Sequence, residues 1–342
     1  MTTTKNDLSG GPVPNTTRSA GTKPAKNALD LASLARDYGM HFALVALVVA
    51  FFIASPDFRT VPNLLNILNQ SAVTGIIAVG MTFVILTAGI DLSVGSLLAV
   101  TSLASGVFAV QSGANTGEAI LAIAVPIIVG VIAGAINGGI IASGLATPLI
   151  VTLGTLTAYR GLAVQYHVDP IYNLPSWYRK IGAGSVLGIP NAVIIFAVVI
   201  VIATLVVSRS RFGRQVYAVG GNERAARSAG INVARVKLAV YVISGLCVAI
   251  AAIINTARVG AAQATAGLGL ELQAVAAVVI GGTSLFGGRG RISNTVIGTL
   301  VLAVLFNGLV LLNVSSPIQN IIIGVIIIGA VSLDGFFRRR IA

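Results

Sequence analysis

Long apolar runs separated by short polar stretches dominate this chain of 342 residues. A run of about twenty apolar residues matches the ~30 Å hydrocarbon core of a bilayer, which an α-helix crosses at ~1.5 Å per residue. The pattern therefore predicts an all-α, polytopic membrane protein with about ten transmembrane segments. These segments are residues 41–54, 63–87, 92–111, 118–143, 148–166, 191–208, 236–256, 271–282, 292–312 and 317–335.

Two regions interrupt this regular pattern. The second and third runs are separated only by the stretch AGIDLSVG, and the eighth run is too short to cross and leads into GGTSLFGGRGR. We therefore predict short or broken helices near 87–95 and 271–291. In the fourth run, Gly130, Gly134 and Gly138 recur every four residues, a spacing that lets two helices approach closely.

Composition excludes several classes of protein. Charged residues make up 9% of the chain, against ~25% in soluble domains. No phosphate-binding loop and no paired catalytic carboxylates occur, so we expect no enzyme active site and no cofactor. Cys247 is the single cysteine, and His41 and His167 lie far apart, so we expect no metal site.

The positive charges predict the orientation in the membrane. The net charge is +12, but the cations lie in loops and termini, which argues against nucleic-acid binding. With both termini inside, 17 of the 22 lysines and arginines are cytoplasmic. We therefore predict a disordered cytoplasmic tail (1–40), whose end (28–40) is either more tail or a surface helix. A transmembrane domain (41–335) and a basic cytoplasmic tail (336–342) follow.

The segment 209–237 is the most polar stretch between two apolar runs. It carries seven basic residues and a single acid, Glu223. Asn222 suits a helix N-cap and Gly230 a C-terminal stop, which predicts a short helix between them. Its alanines, at positions 225, 226 and 229, are too small to anchor the helix in lipid. We therefore favour docking into a groove of another protein, with an ordinary basic loop as the alternative.

Neutral polar residues mark a possible route through the membrane. Asn66, Asn69, Gln70 and Thr74 share one face of the second run. Amides on one face suit the passage of a neutral hydroxylated solute, or equally hydrogen bonds between helices. We include Asn137 and the turn residues Asp91 and Ser93 as further candidates for this route. Capping of the third helix is the alternative role for Asp91.

The longest outer loop, 167–190, contains three aromatic candidates, Tyr172, Trp177 and Tyr178. They are typical of an aromatic belt at the membrane surface. A docking surface for an external partner is the second interpretation, and the two are compatible.

Three motifs resemble the ribose-type permeases of ATP-binding-cassette (ABC) importers: ILTAGIDLSVGSLLAV (85–100), RFGRQVYAVGGNERAARSAGI (211–231) and AAVVIGGTSLFGGRGRI (276–292). The resemblance covers residues 41–335. It implies a permease domain of the bacterial inner membrane that imports a monosaccharide, with a pentose such as ribose favoured. Arg224 interrupts the Glu-Ala-Ala…Gly pattern of importer permeases.

The resemblance also implies partners. These are a cytoplasmic ABC ATPase that hydrolyses the ATP, an external sugar-binding protein facing 167–190, a second permease copy and membrane lipid. Within the coupling loop 209–237, the helix that docks on the ATPase would comprise Gly221, Asn222, Glu223, Arg224, Ala225, Ala226, Arg227 and Gly230. The runner-up is an ion-coupled secondary transporter, which would need no ATPase; the scarcity of mid-span acids counts against it.

Overall fold

The computed structural model describes residues 1–3, 31–112 and 116–339. This part of the chain is helical, as predicted, and each of the ten apolar runs falls on one helix. A 3-10 turn (Asp57–Arg59) and a two-stranded hairpin, β1 (Ser185–Val186) with β2 (Ile189–Pro190), complete it. The α-helices are α1 (Leu31–Ala54), α2 (Val61–Leu86), α3 (Val94–Ser112), α4 (Thr116–Ala142), α5 (Pro148–Tyr166), α6 (Ser176–Ala183), α7 (Asn191–Arg209), α8 (Arg211–Gly221), α9 (Glu223–Ser228), α10 (Val233–Val259), α11 (Leu270–Ile280), α12 (Ile292–Leu311) and α13 (Ser316–Arg339).

Six helices in the described ranges are long and apolar enough to cross a membrane. They are α2, α3, α4, α7, α10 and α12. The protein is therefore polytopic, while the count of ten crossings and the orientation remain predictions.

The chain divides into two units, Met1–Gly39 and Met40–Ala342. In the first unit, residues 31–39 are helical, so the predicted tail 1–40 ends in a helix. The predictions for 4–30 and for 340–342 of the basic C-terminal tail lie outside the described residues.

Helix α2 lies at the centre of the second unit. Nearly every residue from Ser71 to Leu86 is buried, and the helix packs against α7, α10, α11 and α12. A helix that is apolar on all sides is buried on all sides, which is what Ile76, Met81 and Phe83 show.

Helices α4 and α10 pack through glycine, as the four-residue spacing predicts. A Cβ atom added at Gly130 would lie 2.5 Å from the carbonyl oxygen of Gly245, and one at Gly138 would lie 2.9 Å from the Cα of Leu238. A Cβ at Gly134 would overlap the carbonyl oxygen of Tyr241. The two backbones therefore touch, and larger side chains at these positions would separate the helices.

Three of the irregular segments between the helices are 87–93, 260–269 and 281–291. The predicted break near 87–95 is confirmed. The one at 271–291 is confirmed too, because α11 is short and the irregular segment 281–291 follows it. The irregular segment 260–269 was not predicted. At 11 residues, α11 is about 16 Å long and cannot cross a bilayer alone.

Candidate functional site

The coupling loop contains two helices rather than the single one predicted. Helix α8 precedes α9, and the Ser210 hydroxyl accepts a hydrogen bond from the N–H of Gly213 at its start (2.9 Å). Val216 and Val219 of α8 are buried and Phe212 is half-buried. The sequence carried this signal, because a serine followed by apolar residues at helical spacing predicts an amphipathic helix.

Helix α9 begins and ends where the sequence predicts. The Asn222 side chain accepts a hydrogen bond from the N–H of Ala225 at 3.0 Å. Gly230 adopts a left-handed conformation (φ +82°), and the N–H of Ile231 donates to the carbonyl of Ala226 at 3.0 Å. Glycine takes this conformation without strain, so the helix stops there.

Glu223 is held within the loop by two cations. Its carboxylate lies 2.8 Å from Lys237 Nζ and 3.3 Å from Arg227. The hydrogen bond from Lys237 is the main reason that the pKa of Glu223 is lowered. Glu223 therefore ties α9 to the start of α10.

The outward face of α9 is formed by Arg224, Ala225, Arg227 and Ser228, all exposed. An open depression of about 570 Å³ lies against Glu223, Arg224, Arg227 and Ser228. Ala226 was predicted on the docking face, but it is 5% exposed and belongs to the core cluster of the second unit. That prediction is wrong, because one side of α9 must cover the apolar residues beneath it.

The four predicted path residues of α2 lie on an accessible face. Asn66 and Gln70 are exposed, and Asn69 and Thr74 are half-buried. Asn63, nearby on the same helix, instead forms a reciprocal amide pair with Asn307 of α12, with N–O distances of 3.0 and 2.8 Å. Interhelical hydrogen bonding thus accounts for Asn63. Of the four predicted path residues, Asn66 and Gln70 are the exposed ones, and the Oδ1 atom of Asn69 is buried without a hydrogen-bond partner.

Asp91, Ser93 and Asn137 come together, but in the interior. Asp91 is 1% exposed and accepts hydrogen bonds from the Ser93 hydroxyl (2.6 Å) and the Ser244 hydroxyl (3.0 Å). Asn137 Nδ2 donates to Ser93 Oγ at 2.9 Å. The prediction that these three residues line an open path with the face of α2 does not hold here, because they are buried where α3, α4 and α10 pack together. They fix the start of α3 to its neighbours.

Two oppositely charged residues that the sequence analysis did not place in the site, Arg160 and Glu271, lie beside the irregular segment 260–269. The Arg160 guanidinium donates to the carbonyls of Ala264 and Ala266. Glu271 Oε2 is buried without a hydrogen-bond partner, and a Cβ added at Gly95 would overlap it. Arg160 lies within α5, which corresponds to the predicted apolar run 148–166. Only the tertiary contact reveals this arrangement.

Only one of the three aromatic candidates in the outer loop is fully exposed. Tyr172 is exposed, and Trp177 is half-buried with its indole N–H donating to Ser112 Oγ (3.3 Å). Tyr178 is fully buried and its hydroxyl is hydrogen-bonded to Ser105. The prediction that Tyr178 contacts an external partner is therefore wrong, because its ring fills a core beneath the loop.

Membrane-length helices, broken by irregular segments and joined by an exposed helix on a basic loop, define a membrane transport subunit. The chain belongs to the family described as the permease component of branched-chain amino acid transport systems, which it matches over residues 63–331. It is a multi-pass protein of the bacterial inner membrane.

Sugar permeases are among the similar proteins. The ribose import permease protein of Bacillus subtilis is 47% identical over 300 residues, which cover 86% of this chain and 92% of that protein. The D-allose transport system permease protein of Escherichia coli is 39% identical over 330 residues (93% and 98%). The xylose transport system permease protein of Escherichia coli is 34% identical over 366 residues (87% and 92%). The resemblance to ribose-type permeases is thus confirmed. No solved structure matches this chain.

Proposed function

We propose that this chain is the membrane subunit of an ABC importer that carries a monosaccharide, a pentose such as ribose, into the bacterial cytoplasm. The observation that carries the proposal is the 47% identity to a ribose import permease over nearly its whole length. The family description names amino acids. We favour sugar because relatives that cover most of this chain carry the names of three different monosaccharides.

The energy of ATP hydrolysis reaches this subunit through α9, on which the ATPase docks. The chain has no phosphate-binding loop, so ATP is hydrolysed by a separate cytoplasmic ATPase that receives the outward face of the helix. Arg224, Arg227 and Ser228 line the depression there, and the positive charge of the two arginines suits an acidic rim on the partner. Glu223 acts within the chain, holding α9 through Lys237.

The sugar crosses beside α2. Asn66 and Gln70 are exposed amides, which exchange hydrogen bonds with sugar hydroxyls without the cost of burying a charge. A second copy of the chain would complete the path on the opposite side. The buried group of Asp91, Ser93 and Asn137 supports this path by fixing α3 rather than by lining it.

The arrangement in the membrane follows the charge distribution. We propose about ten transmembrane segments, the eighth formed by α11 together with the irregular residues on either side of it. Both termini then lie in the cytoplasm, and lipid covers the apolar outer faces. The loop 167–190 then faces outward, where exposed Tyr172 and half-buried Trp177 meet the sugar-loaded binding protein. ATP binding closes the ATPase pair, the two copies rock open to the outside, and hydrolysis resets them.

Uptake measurements test the proposal. A bacterial strain lacking its own ribose permease is supplied with this chain, its matching ATPase and its binding protein, and radiolabelled ribose and leucine are compared. We expect ATP-dependent ribose uptake and no leucine uptake. Leucine transport, or ribose uptake that survives an inactivated ATPase and stops with a proton or sodium ionophore, would overturn it.

A charge reversal tests the docking face separately. Replacing Arg224 and Arg227 with glutamate should abolish uptake and co-purification of the ATPase, while the subunit still reaches the membrane. Arg214→Glu is the matched control, because Arg214 is also exposed but lies on α8. Unchanged co-purification of the double variant would show that the ATPase binds elsewhere.

A further inference from the structure

Three backbone segments meet directly behind the docking helix. They are the end of α2 with the following turn (86–88), the end of α8 (220–221) and the glycine-rich segment 287–288. The N–H of Gly288 donates to the carbonyl oxygen of Leu86 at 3.0 Å. A Cβ added at Gly220 would overlap that same oxygen and lie 2.6 Å from the nitrogen of Gly288. We call residues 86–88, 220–221 and 287–288 the glycine junction.

The glycine junction has no side chains between its parts. A Cβ at Gly287 would lie 2.8 Å from the nitrogen of Ala88, and one at Gly288 would lie 2.9 Å from the Cα of Gly221. Gly287 and Gly288 also have positive φ angles, +82° and +71°, which other residues adopt only with strain. Side chains can change rotamer and absorb a displacement, whereas touching backbones cannot. A displacement of one of these segments therefore acts directly on the backbone of the next.

Each part of the junction continues into an irregular membrane segment. Residues 86–88 lead to Ile90, whose carbonyl accepts bonds from Tyr241 and Thr152, and then to the buried Asp91. Segment 287–288 leads to Gly290, whose carbonyl accepts a hydrogen bond from the Tyr217 hydroxyl at 2.8 Å. On the third side, Gly221 is followed directly by Asn222, the N-cap of α9.

From this geometry we infer that the glycine junction transmits movement of α9 to the irregular segments 87–93 and 281–291. Gly220 and Tyr217 act as positioning residues that keep α8 in contact with both segments. The inference rests on the proposed function, in which the ATPase moves α9. A displacement of α9 is then passed on by direct backbone contact to the places where α2 and α11 are interrupted.

The test uses the reconstituted complex of permease, ATPase and binding protein. Gly220→Ala introduces the overlap with Leu86, and Tyr217→Phe removes one hydrogen bond while keeping the ring. For both variants we expect normal co-purification of the ATPase and normal basal ATP hydrolysis. Stimulation of hydrolysis by the ribose-loaded binding protein should be lost in Gly220→Ala. It should fall by roughly 2–10-fold in Tyr217→Phe, the factor expected for one hydrogen bond.

Two control variants separate transmission from a general packing defect. Gly139→Ala adds a methyl group where nothing lies within 4 Å and should match the wild type. Gly130→Ala creates an overlap at the α4–α10 contact, so it should reduce the amount of folded protein but leave the stimulation per folded complex unchanged.

Three results would overturn the inference. They are full stimulation in Gly220→Ala, full stimulation in Tyr217→Phe should Gly220→Ala fail to fold, or a loss of stimulation in Gly130→Ala equal to that in Gly220→Ala. Failure of the proposed function appears differently, because the wild-type complex would then not bind the ATPase or take up ribose.

Discussion

The buried Asp91 group allows a quantitative prediction. Replacing Ser244 with alanine removes the hydroxyl that donates to Asp91 Oδ2 at 3.0 Å and leaves the bonds from Ser93. Ser244 and Asp91 are each 1% exposed, so water cannot replace the lost donor. The Asp91 side chain accepts three hydrogen bonds, from the N–H and the hydroxyl of Ser93 and from the hydroxyl of Ser244. Three donors around one side chain suit an ionised carboxylate, which only accepts hydrogen bonds.

The expected loss of stability follows from the charge of the Asp91 carboxylate, which accepts the hydrogen bond. Hydrogen bonds between neutral groups in membrane proteins contribute ~0.6 kcal/mol on average, whereas bonds to charged groups contribute about 1.5–3 kcal/mol. We therefore expect Ser244→Ala to cost about 2 kcal/mol. Because about 1 kcal/mol shifts the midpoint by roughly 2–4 °C in domains of 150–250 residues, the unfolding temperature should fall by at least about 3 °C.

The protein contains its own reporter for this measurement. Cys247 is the single cysteine, is buried, and lies one helical turn from Ser244 on α10. A dye that fluoresces on reaction with a thiol therefore reports unfolding of the detergent-solubilised protein during heating. No cysteine needs to be introduced.

A second serine provides the matched control. Ser102 is fully buried in α3 and its hydroxyl has no hydrogen-bond partner. Ser102→Ala removes the same atom but no bond, so it should leave the midpoint unchanged or raise it slightly. If Ser244→Ala and Ser102→Ala have equal midpoints, the Asp91 group does not stabilise the fold and the reasoning is refuted.

Three further predictions concern the same unfolding midpoint. The first two use the thiol dye at neutral pH. The third follows the fluorescence of Trp177 instead, because the thiolate that reacts with the dye is lost in acid. The substitutions Asn63→Ala and Asn307→Ala should show a coupling of about 1 kcal/mol in a double-mutant cycle, because either one alone removes both hydrogen bonds between the two side-chain amides. Additive effects would contradict this prediction. Gly245→Ala should lower the midpoint by overlapping the backbone of α4, while Gly139→Ala should not, and equal midpoints would exclude close packing there. Because the pKa of Glu223 is lowered, the stabilisation from its ionised form is present at neutral pH and is lost as the pH falls through that lowered pKa. The wild type should therefore be more stable than Glu223→Gln at pH 7, and the difference in stability should disappear in acid. A difference that does not depend on pH would refute this prediction.

Local physics accounts for what the sequence alone determined. The ten apolar runs predict ten helices because backbone groups in a bilayer must bond within their own segment. Asn222 and Gly230 define α9 through capping, and the spacing of Gly130, Gly134 and Gly138 predicts a close helix contact. Each of these features depends on residues within a few positions of one another.

The tertiary structure decided which polar residues are accessible. Asp91 and Asn66 are both polar residues in apolar surroundings, yet Asp91 is buried where α3, α4 and α10 pack together while Asn66 remains exposed. Tyr178 and Tyr172 lie in the same loop, but only Tyr178 packs into a buried hydrophobic cluster. Ala226 and Ala225 differ only in the side of α9 they occupy.

The contacts that joined distant segments were also beyond the sequence. Nothing local to Leu86, Gly220 or Gly288 indicates that their backbones touch, because glycine appears in a sequence for turns, for flexibility and for close packing alike. The contact of Arg160 with the carbonyls of Ala264 and Ala266 likewise depends on how α5 and the segment 260–269 pack. The sequence determined the helices and their caps, since these obey short-range rules. Only the packing of the helices determined burial and neighbours, since these depend on every other segment at once.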